Sequence, residues 1–372
     1  MSRHLQKTFI TAASAIFPSG PGMVLATIAL QTQMALNRKH PFYVDSRGEP
    51  IKASFFPEPA QFDIARWLEL AKAALQDLHK QLPVPQARQR QQAINYSLWL
   101  VLPPEARAGV PAKLAEQLIQ ACQNQPFRFS HTQIVTGDHC AAVYALAKAC
   151  DRLNVPRPKQ HLSGPLVGMA TAKEVAIVLA LDSWLHPEAL GWLESQDLLH
   201  GAGKPYRGET YRNPYGRIPG EAAAAVMLSS DGPGWCQVKG LALADEPIVR
   251  TDPRPCVGVG WTQAAQQALS TLPKDQKITH VFSDLNGEPY RADQFGFACL
   301  RLSGSLQDNW GRYTPATVCG DVGTANSLVH MALSASLLRQ PEAKAQAHLL
   351  LASSDDARRS AVVLSTSRPP AP

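Results

Sequence analysis

The residues of this chain best placed to do chemistry are Gly137-Asp138-His139-Cys140, which run directly into Ala141-Ala142-Val143-Tyr144-Ala145-Leu146-Ala147-Lys148-Ala149. The alanine-rich stretch predicts a helix, and the apolar Thr132-Gln133-Ile134-Val135-Thr136 before it predicts a strand. Cys140 then stands at the mouth of a helix, where unpaired N–H groups and the positive end of the helix favour thiolate over thiol. A thiolate so placed is a nucleophile for thioesters. The plainer use of such a residue is packing, because free cysteine is among the most buried types. His139 is the adjacent base, but side chains at i and i+1 on a helix diverge, so the sequence gives it no role toward Cys140.

Three other segments carry polar residues in suggestive settings. Glu221, in Pro219-Gly220-Glu221-Ala222, enters an apolar strand and must find a hydrogen-bond partner there. Asn286, in Asp284-Leu285-Asn286-Gly287-Glu288-Pro289-Tyr290-Arg291-Ala292-Asp293, has two N–H donors that suit an oxyanion hole; equally, it can brace the turn at Gly287. Asp321, in Gly320-Asp321-Val322-Gly323-Thr324-Ala325-Asn326-Ser327, suits an N-cap that bonds the N–H of Gly323 or Thr324, worth ~1 kcal/mol. Beside a reacting centre it would be harmful. A carboxylate ~4 Å from a developing oxyanion costs about 4 kcal/mol at an effective dielectric of 20, roughly a thousandfold in rate. It would also raise the pKa of Cys140. Arg291 and Asp293 are expected to pair locally or shape the loop, Cys319 to pack, and His330 to lie out of reach of the helix mouth.

Taken in order, these segments, with Glu174-Val175-Ala176-Ile177-Val178-Leu179-Ala180-Leu181-Asp182-Ser183 between them and the opening Phe9-Ile10-Thr11-Ala12-Ala13 leading to Gly20, resemble the β-ketoacyl synthases, the condensing enzymes of the thiolase superfamily. The resemblance covers nearly the whole chain. It implies an α/β, thiolase-like duplicated fold: five layers, α-β-α-β-α, with two mixed sheets and buried central helices. Gly137-Asp138 and Gly320-Asp321, each opening an alanine-rich helix, agree with such a duplication. The halves are expected at 1–233 and 234–366, with a disordered tail at 367–372. The resemblance also implies a homodimer paired through the strand at Gln133–Thr136.

It implies roles for single residues too. Cys140 falls on the nucleophile position. Asn286 stands where the family has its first catalytic histidine, and Asp321 where it has the second. Ala316 replaces the lysine usually found five residues before the second histidine, and Ser353-Ser354-Asp355-Asp356-Ala357-Arg358 stands near the family's glycine-rich gate. Glu221, Gly287, Gly320 and Gly323 are expected to shape the site rather than react. These departures imply a degenerate site that has lost decarboxylative condensation. The chain then acts as a binding or adaptor module for an acyl group, an acyl carrier protein or acyl-CoA, or a protein client, with type VI secretion effectors an association implied by resemblance alone. The alternative is a Cys-dependent acyltransferase using Cys140 with Asn286 in the oxyanion hole.

Composition narrows the field. At 372 residues with 45% hydrophobic content the chain can bury a sizeable core. The net charge of +6 is mild, and no Lys/Arg cluster interleaves with aromatics, so nucleic acid is not an expected partner. Seven scattered cysteines without a C-x-x-C pair read as reduced thiols in a cytoplasmic protein. Histidine spacing suggests no metal, and no phosphate loop or dinucleotide fingerprint suggests a cofactor. No stretch approaches the ~20 apolar residues of a membrane span.

The remaining elements follow from periodicity and breakers. Helices are expected at Met23–Met34, Phe62–Leu82, 111–122, Thr262–Thr271 and Asn326–Leu338. Strands are expected at Ser97–Leu102, Ala223–Ser229, His280–Ser283, Ala347–Ser353 and Ala361–Ser365. Residues 39–60 read as irregular, 83–92 as a polar surface excursion, and 199–218 as a long loop of the kind that is often functional.

Overall fold

A computed structural model describes residues 7–57, 62–82, 94–123, 126–154, 173–206, 209–343 and 346–367. The expected excursion at 83–92 and the tail beyond Ser367 lie outside the described residues. The first half of the chain runs β1 (Thr8–Ile16), α1 (Met23–Gln31), the hairpin β2 (Arg38–Val44) and β3 (Pro50–Ala53), α2 (Ile64–Lys80), β4 (Ile94–Leu102), α3 (Leu114–Cys122), β5 (Phe129–Thr136), α4 (Ala141–Leu153), β6 (Lys173–Ser183), α5 (Pro187–Ser195), the hairpin β7 (Gly203–Tyr206) and β8 (Glu209–Arg212), and β9 (Glu221–Ser229). The second runs β10 (Cys236–Asp245), α6 (Val259–Leu269), β11 (Ile278–Phe282), α7 (Pro289–Leu302), β12 (Leu306–Tyr313), α8 (Ala316–Cys319), α9 (Asn326–Leu338), β13 (Ala347–Ser353) and β14 (Arg358–Thr366).

The two halves share one topology. In the first, the order β1-β9-β6-β4-β5 joins two antiparallel pairs and then two parallel ones. In the second, β10-β14-β13-β11-β12 repeats the same sequence of pairings. Antiparallel pairing of β1 with β10 at Thr8↔Val238, Phe9↔Gln237 and Ile10↔Cys236 links the two five-stranded mixed units into one ladder of ten strands. The fold is therefore α/β and thiolase-like.

Alternation along the strands explains the layers. On β9, Ala222, Ala224, Val226 and Leu228 face a central core with α4 and α9, while Ala223, Ala225 and Met227 face α2 and α3. On β14, Val362 and Leu364 face the same centre, and Ala361 and Val363 face α6 and α7. A run of four alanines has helical propensity. Here it forms a strand because both of its faces are covered by helices, and small side chains let them approach closely. In α9 only Ser336 escapes burial, as befits a helix enclosed by two sheets.

Four local expectations need correction. The stretch read as irregular contains the β2–β3 hairpin, in which Ile51 and Ala53 are buried and Lys52 is exposed. Its prolines occupy a two-stranded ribbon, where unpaired edges tolerate them. The long loop contains the β7–β8 hairpin. Helices α5 and α7 were not anticipated; each opens with proline at its first turn. Among the described residues no helix is long and apolar enough to cross a membrane.

Candidate functional site

The sequence-predicted residues meet where α4 and the turn leading into α9 begin, between the two sheets. Backbone ladders deliver them. The N–H of Ser54 donates to the Pro219 carbonyl at 2.8 Å, Gly220 N–H to the Asp321 carbonyl at 2.9 Å, and Asp321 N–H to the Ile218 carbonyl at 2.7 Å. A Cβ on Gly220 would lie 2.2 Å from the Cys319 carbonyl oxygen, so only glycine permits this crossing. Gly320 takes φ 72° and completes the turn; Gly287 and Gly323 also hold left-handed backbone beside it. Glu221 is buried, accepts from Phe56 N–H at 3.0 Å and lies 3.6 Å from the Arg66 guanidinium. It is the braced interior carboxyl that its sequence setting required.

Cys140 heads α4, as expected, but it is not poised as a thiolate. Only 2% of the residue is exposed, and its Sγ–H donates toward the carbonyls of Ala352 at 3.3 Å and Arg358 at 3.5 Å. Burial, reinforced by the nearby Asp138, pushes the thiol up to about 12. The helix dipole is present. It is outweighed by burial, and the two carbonyl oxygens that hold the proton on sulfur both come from the other half of the chain. One side of Cys140 lines a cleft of about 260 Å3 shared with Pro104, Tyr144, Leu243 and Arg358.

Asp321 is the hub of the site. Its Oδ1 accepts from Gly323 N–H at 2.8 Å, the cap that the sequence favoured, and lies 2.9 Å from His139 Nε2. Its Oδ2 accepts from Asn286 Nδ2 at 2.7 Å and lies 3.7 Å from Arg217 Nε. Burial alone would raise this carboxyl; His139, then Arg217 and Arg291, hold it well below the usual carboxylate range. Burial alone would also keep His139 neutral, but Asp321 overrides it and raises the ring's pKa. The pair is a buried ion pair.

Around this pair a charge network fills the chamber. Arg217 donates to Glu288 at 3.1 Å and Asp355 at 2.6 Å. Arg291 donates to Glu288 at 3.0 Å, Asp284 at 2.5 Å, Asp355 at 3.1 Å and the Ser353 carbonyl at 2.7 Å. Four carboxylates (Asp284, Glu288, Asp321, Asp355) face only two guanidiniums at close range. Protonated His139 and the more distant Arg250, 3.9 Å from Glu288, balance the remainder. Such balance is required, because an uncompensated buried charge costs several kcal/mol. The turn leading into α9 is sealed in the same manner: Thr324 N–H donates at 2.8 Å to Asp182, itself held by Arg107 at 2.7 and 2.5 Å.

Asn286 therefore braces rather than waits. Its Nδ2 serves both Glu288, at 3.0 Å, and Asp321, and its Oδ1 accepts from Glu288 N–H at 3.2 Å. Both N–H donors are occupied. Sequence reasoning missed two members of the site, His139 and Arg217. His139 was set aside because it diverges from Cys140, yet that divergence aims it at Asp321. Arg291 pairs locally with Asp284 and Glu288, as expected, and its burial also brings it to Asp355 and the Ser353 carbonyl at the centre of the network. Arg217 was read as part of a loop. The signal available was four charged residues within 284–293, dense for a chain only 18% charged. Cys319 packs with its Sγ 3.3 Å from the Pro315 carbonyl, and His330 is wholly buried without a hydrogen bond to a described residue.

Comparison with known proteins fits this geometry. No family model matches the chain, and no curated protein matches its sequence. Solved structures do match. A type II polyketide synthase ketosynthase, bound to the hexaketide and in complex with its acyl-carrier protein, is 12% identical with a TM-score of 0.70, over 97% of this chain and 99% of that one. The ketosynthase from module 6 of the bacillaene synthase of Bacillus subtilis 168 is 10% identical with a TM-score of 0.67, over 98% and 72%. The ishigamide ketosynthase/chain length factor is 14% identical with a TM-score of 0.62, over 97% and 99%. The fold is that of the ketosynthases.

The His139–Asp321 pair makes stability depend on pH. A histidine whose folded pKa is raised contributes stability that is fully present below its unfolded value near 6.5 and is lost as pH rises through the folded value. Urea midpoints should therefore fall as pH climbs above about 6.5. Asp321→Asn, which leaves His139 without its counter-charge, should destabilise by about 3–5 kcal/mol and flatten that slope. An unchanged slope in Asp321→Asn would dissociate His139 from it.

Proposed function

We propose that this chain is a ketosynthase-fold protein that has given up decarboxylative condensation and serves as a binding or adaptor module. One observation carries the reading: where condensation would occur, a buried, ionised Asp321 lies within a charge network, and Asn286, the expected oxyanion donor, has both its N–H groups bonded to Glu288 and Asp321, although Arg217 Nη1 and His139 Nδ1 have no hydrogen-bond partner among the described residues. Catalysis of acyl transfer relies on donors aimed at developing negative charge, and an ionised carboxylate there opposes it. The ligand is an acyl group, an acyl carrier protein or a protein client such as a type VI secretion effector. Of these, the carrier protein has the best support, because a solved ketosynthase similar to this chain binds one.

A second reading keeps Cys140 as an acyl carrier. The cleft that reaches its side favours this, since a thioester could approach from there. The thiol would have to surrender its proton and its two carbonyl partners first. Incubation with acyl-CoA or acyl carrier protein, read by intact mass, separates the two. The adaptor reading expects no adduct and slow alkylation by iodoacetamide near neutral pH, because so little thiolate is present. An adduct that turns over and is abolished by Cys140→Ala would establish the acyltransferase instead.

We also propose a homodimer paired along β5. The two edges of the ten-stranded sheet are unequal. β12 carries Asp308 and Arg312, charges that blunt an edge against pairing. β5 has no charged residue apart from any charge on His131 and exposes 41% of Ile134. Light scattering should find a dimer that Ile134→Lys converts to monomer. A native monomer at micromolar concentration would refute the pairing.

A further inference from the structure

The β2–β3 hairpin has a feature that stability does not explain. Lys39 and Lys52 are direct cross-strand partners, both exposed. Like charges opposite one another on neighbouring strands destabilise a ribbon. Among the described residues neither ammonium lies within ion-pair distance of a carboxylate. Arg38, next in the strand and opposite buried Ala53, turns to the other face, 4.2 Å over the Phe55 ring, so the lysine pair supplies the cations of this face. Half-buried His200 stands near Lys52. Phe42 and Val44, 65% and 47% exposed, extend the same ribbon with apolar surface.

The position of the hairpin gives this patch meaning. Beyond β3 the chain passes to Ser54, whose N–H joins the Pro219 carbonyl, and the next residue, Gly220, pairs with Asp321. His200 donates its backbone N–H to the carbonyl of Arg217 at 2.9 Å. The cationic face therefore adjoins the two segments that hold Arg217 and Asp321 in the chamber.

We propose that the outward face of the β2–β3 hairpin is the docking surface for an acidic protein partner, with Lys39 and Lys52 as the paired counter-charges and Phe42 as the apolar contact beside them. Rim charges of this kind steer encounter and fix register. The inference rests on the adaptor reading and names where its partner binds.

The test titrates a holo-acyl carrier protein of net negative charge into the full chain at about 50 mM and about 300 mM salt, a range over which screening between exposed charges changes strongly. Binding should weaken with salt. Lys39→Glu/Lys52→Glu should weaken it at least tenfold at the lower salt. Lys274→Glu/Lys277→Glu, the same charge change on exposed lysines before β11, should leave it within about twofold. Lys52→Glu alone creates an opposite-charge pair with Lys39, so it should melt no lower than the native chain and yet bind less tightly. Equal losses in both double variants would assign the effect to net charge and overturn the surface. Native-like binding by the hairpin variant would sink the surface while leaving the adaptor reading intact. Absence of binding by the native chain would remove both the carrier-protein reading and the surface.

Discussion

One carboxylate organises the centre of this protein. Asp321 is shared among a backbone N–H at the entry to α9, the Asn286 amide and the His139 ring. Each contact comes from a different part of the chain, so Asp321 binds the two halves as well as capping a turn. Once a carboxylate occupies this position in a water-excluded site, cations must follow. Arg217, Arg291 and protonated His139 are the response, and they recruit Glu288, Asp284 and Asp355 in turn. Buried ion clusters of this kind add little net stability over an apolar core, but breaking one is severe. That asymmetry makes the network a permanent plug.

The plug also accounts for Cys140. A helix N-terminus lowers a thiol's pKa only where the thiolate can be solvated or paired, and here burial outweighs the helping hydroxyls of Ser354 and Ser360. Ala352 and Arg358 offer carbonyls, Asp138 adds negative charge, and Arg217 and Arg291 pair with carboxylates rather than with the sulfur. The fold is that of the ketosynthases, and the centre of this chain holds a carboxylate among its cations.

Much of the architecture was legible in the sequence because it is written locally. The bounds of α9 and β13 follow from apolar composition and breakers, and β9 follows from its setting between Gly220 and the turn after Ser230. The hairpins and α7 were not legible: their burial patterns are short, and their prolines mimic irregular chain. The site was half legible. Cys140, Asn286, Asp321 and Glu221 stood out by type and neighbours, and the cap on Gly323 could be argued from spacing. The contact of His139 with Asp321 spans 182 positions, and those of Arg217 with Glu288 and Asp355 span 71 and 138. No local pattern encodes such pairings. They exist because the duplicated topology brings two helix mouths together.

The most direct measurement is the release of carbon dioxide from a carboxyl-labelled malonyl thioester, presented on CoA and on a carrier protein, by the purified chain at neutral pH. A chamber closed by Asp321 and its cations should give release no faster than buffer. Sustained release above buffer, with an elongated acyl product, would contradict the sealed-chamber reading outright.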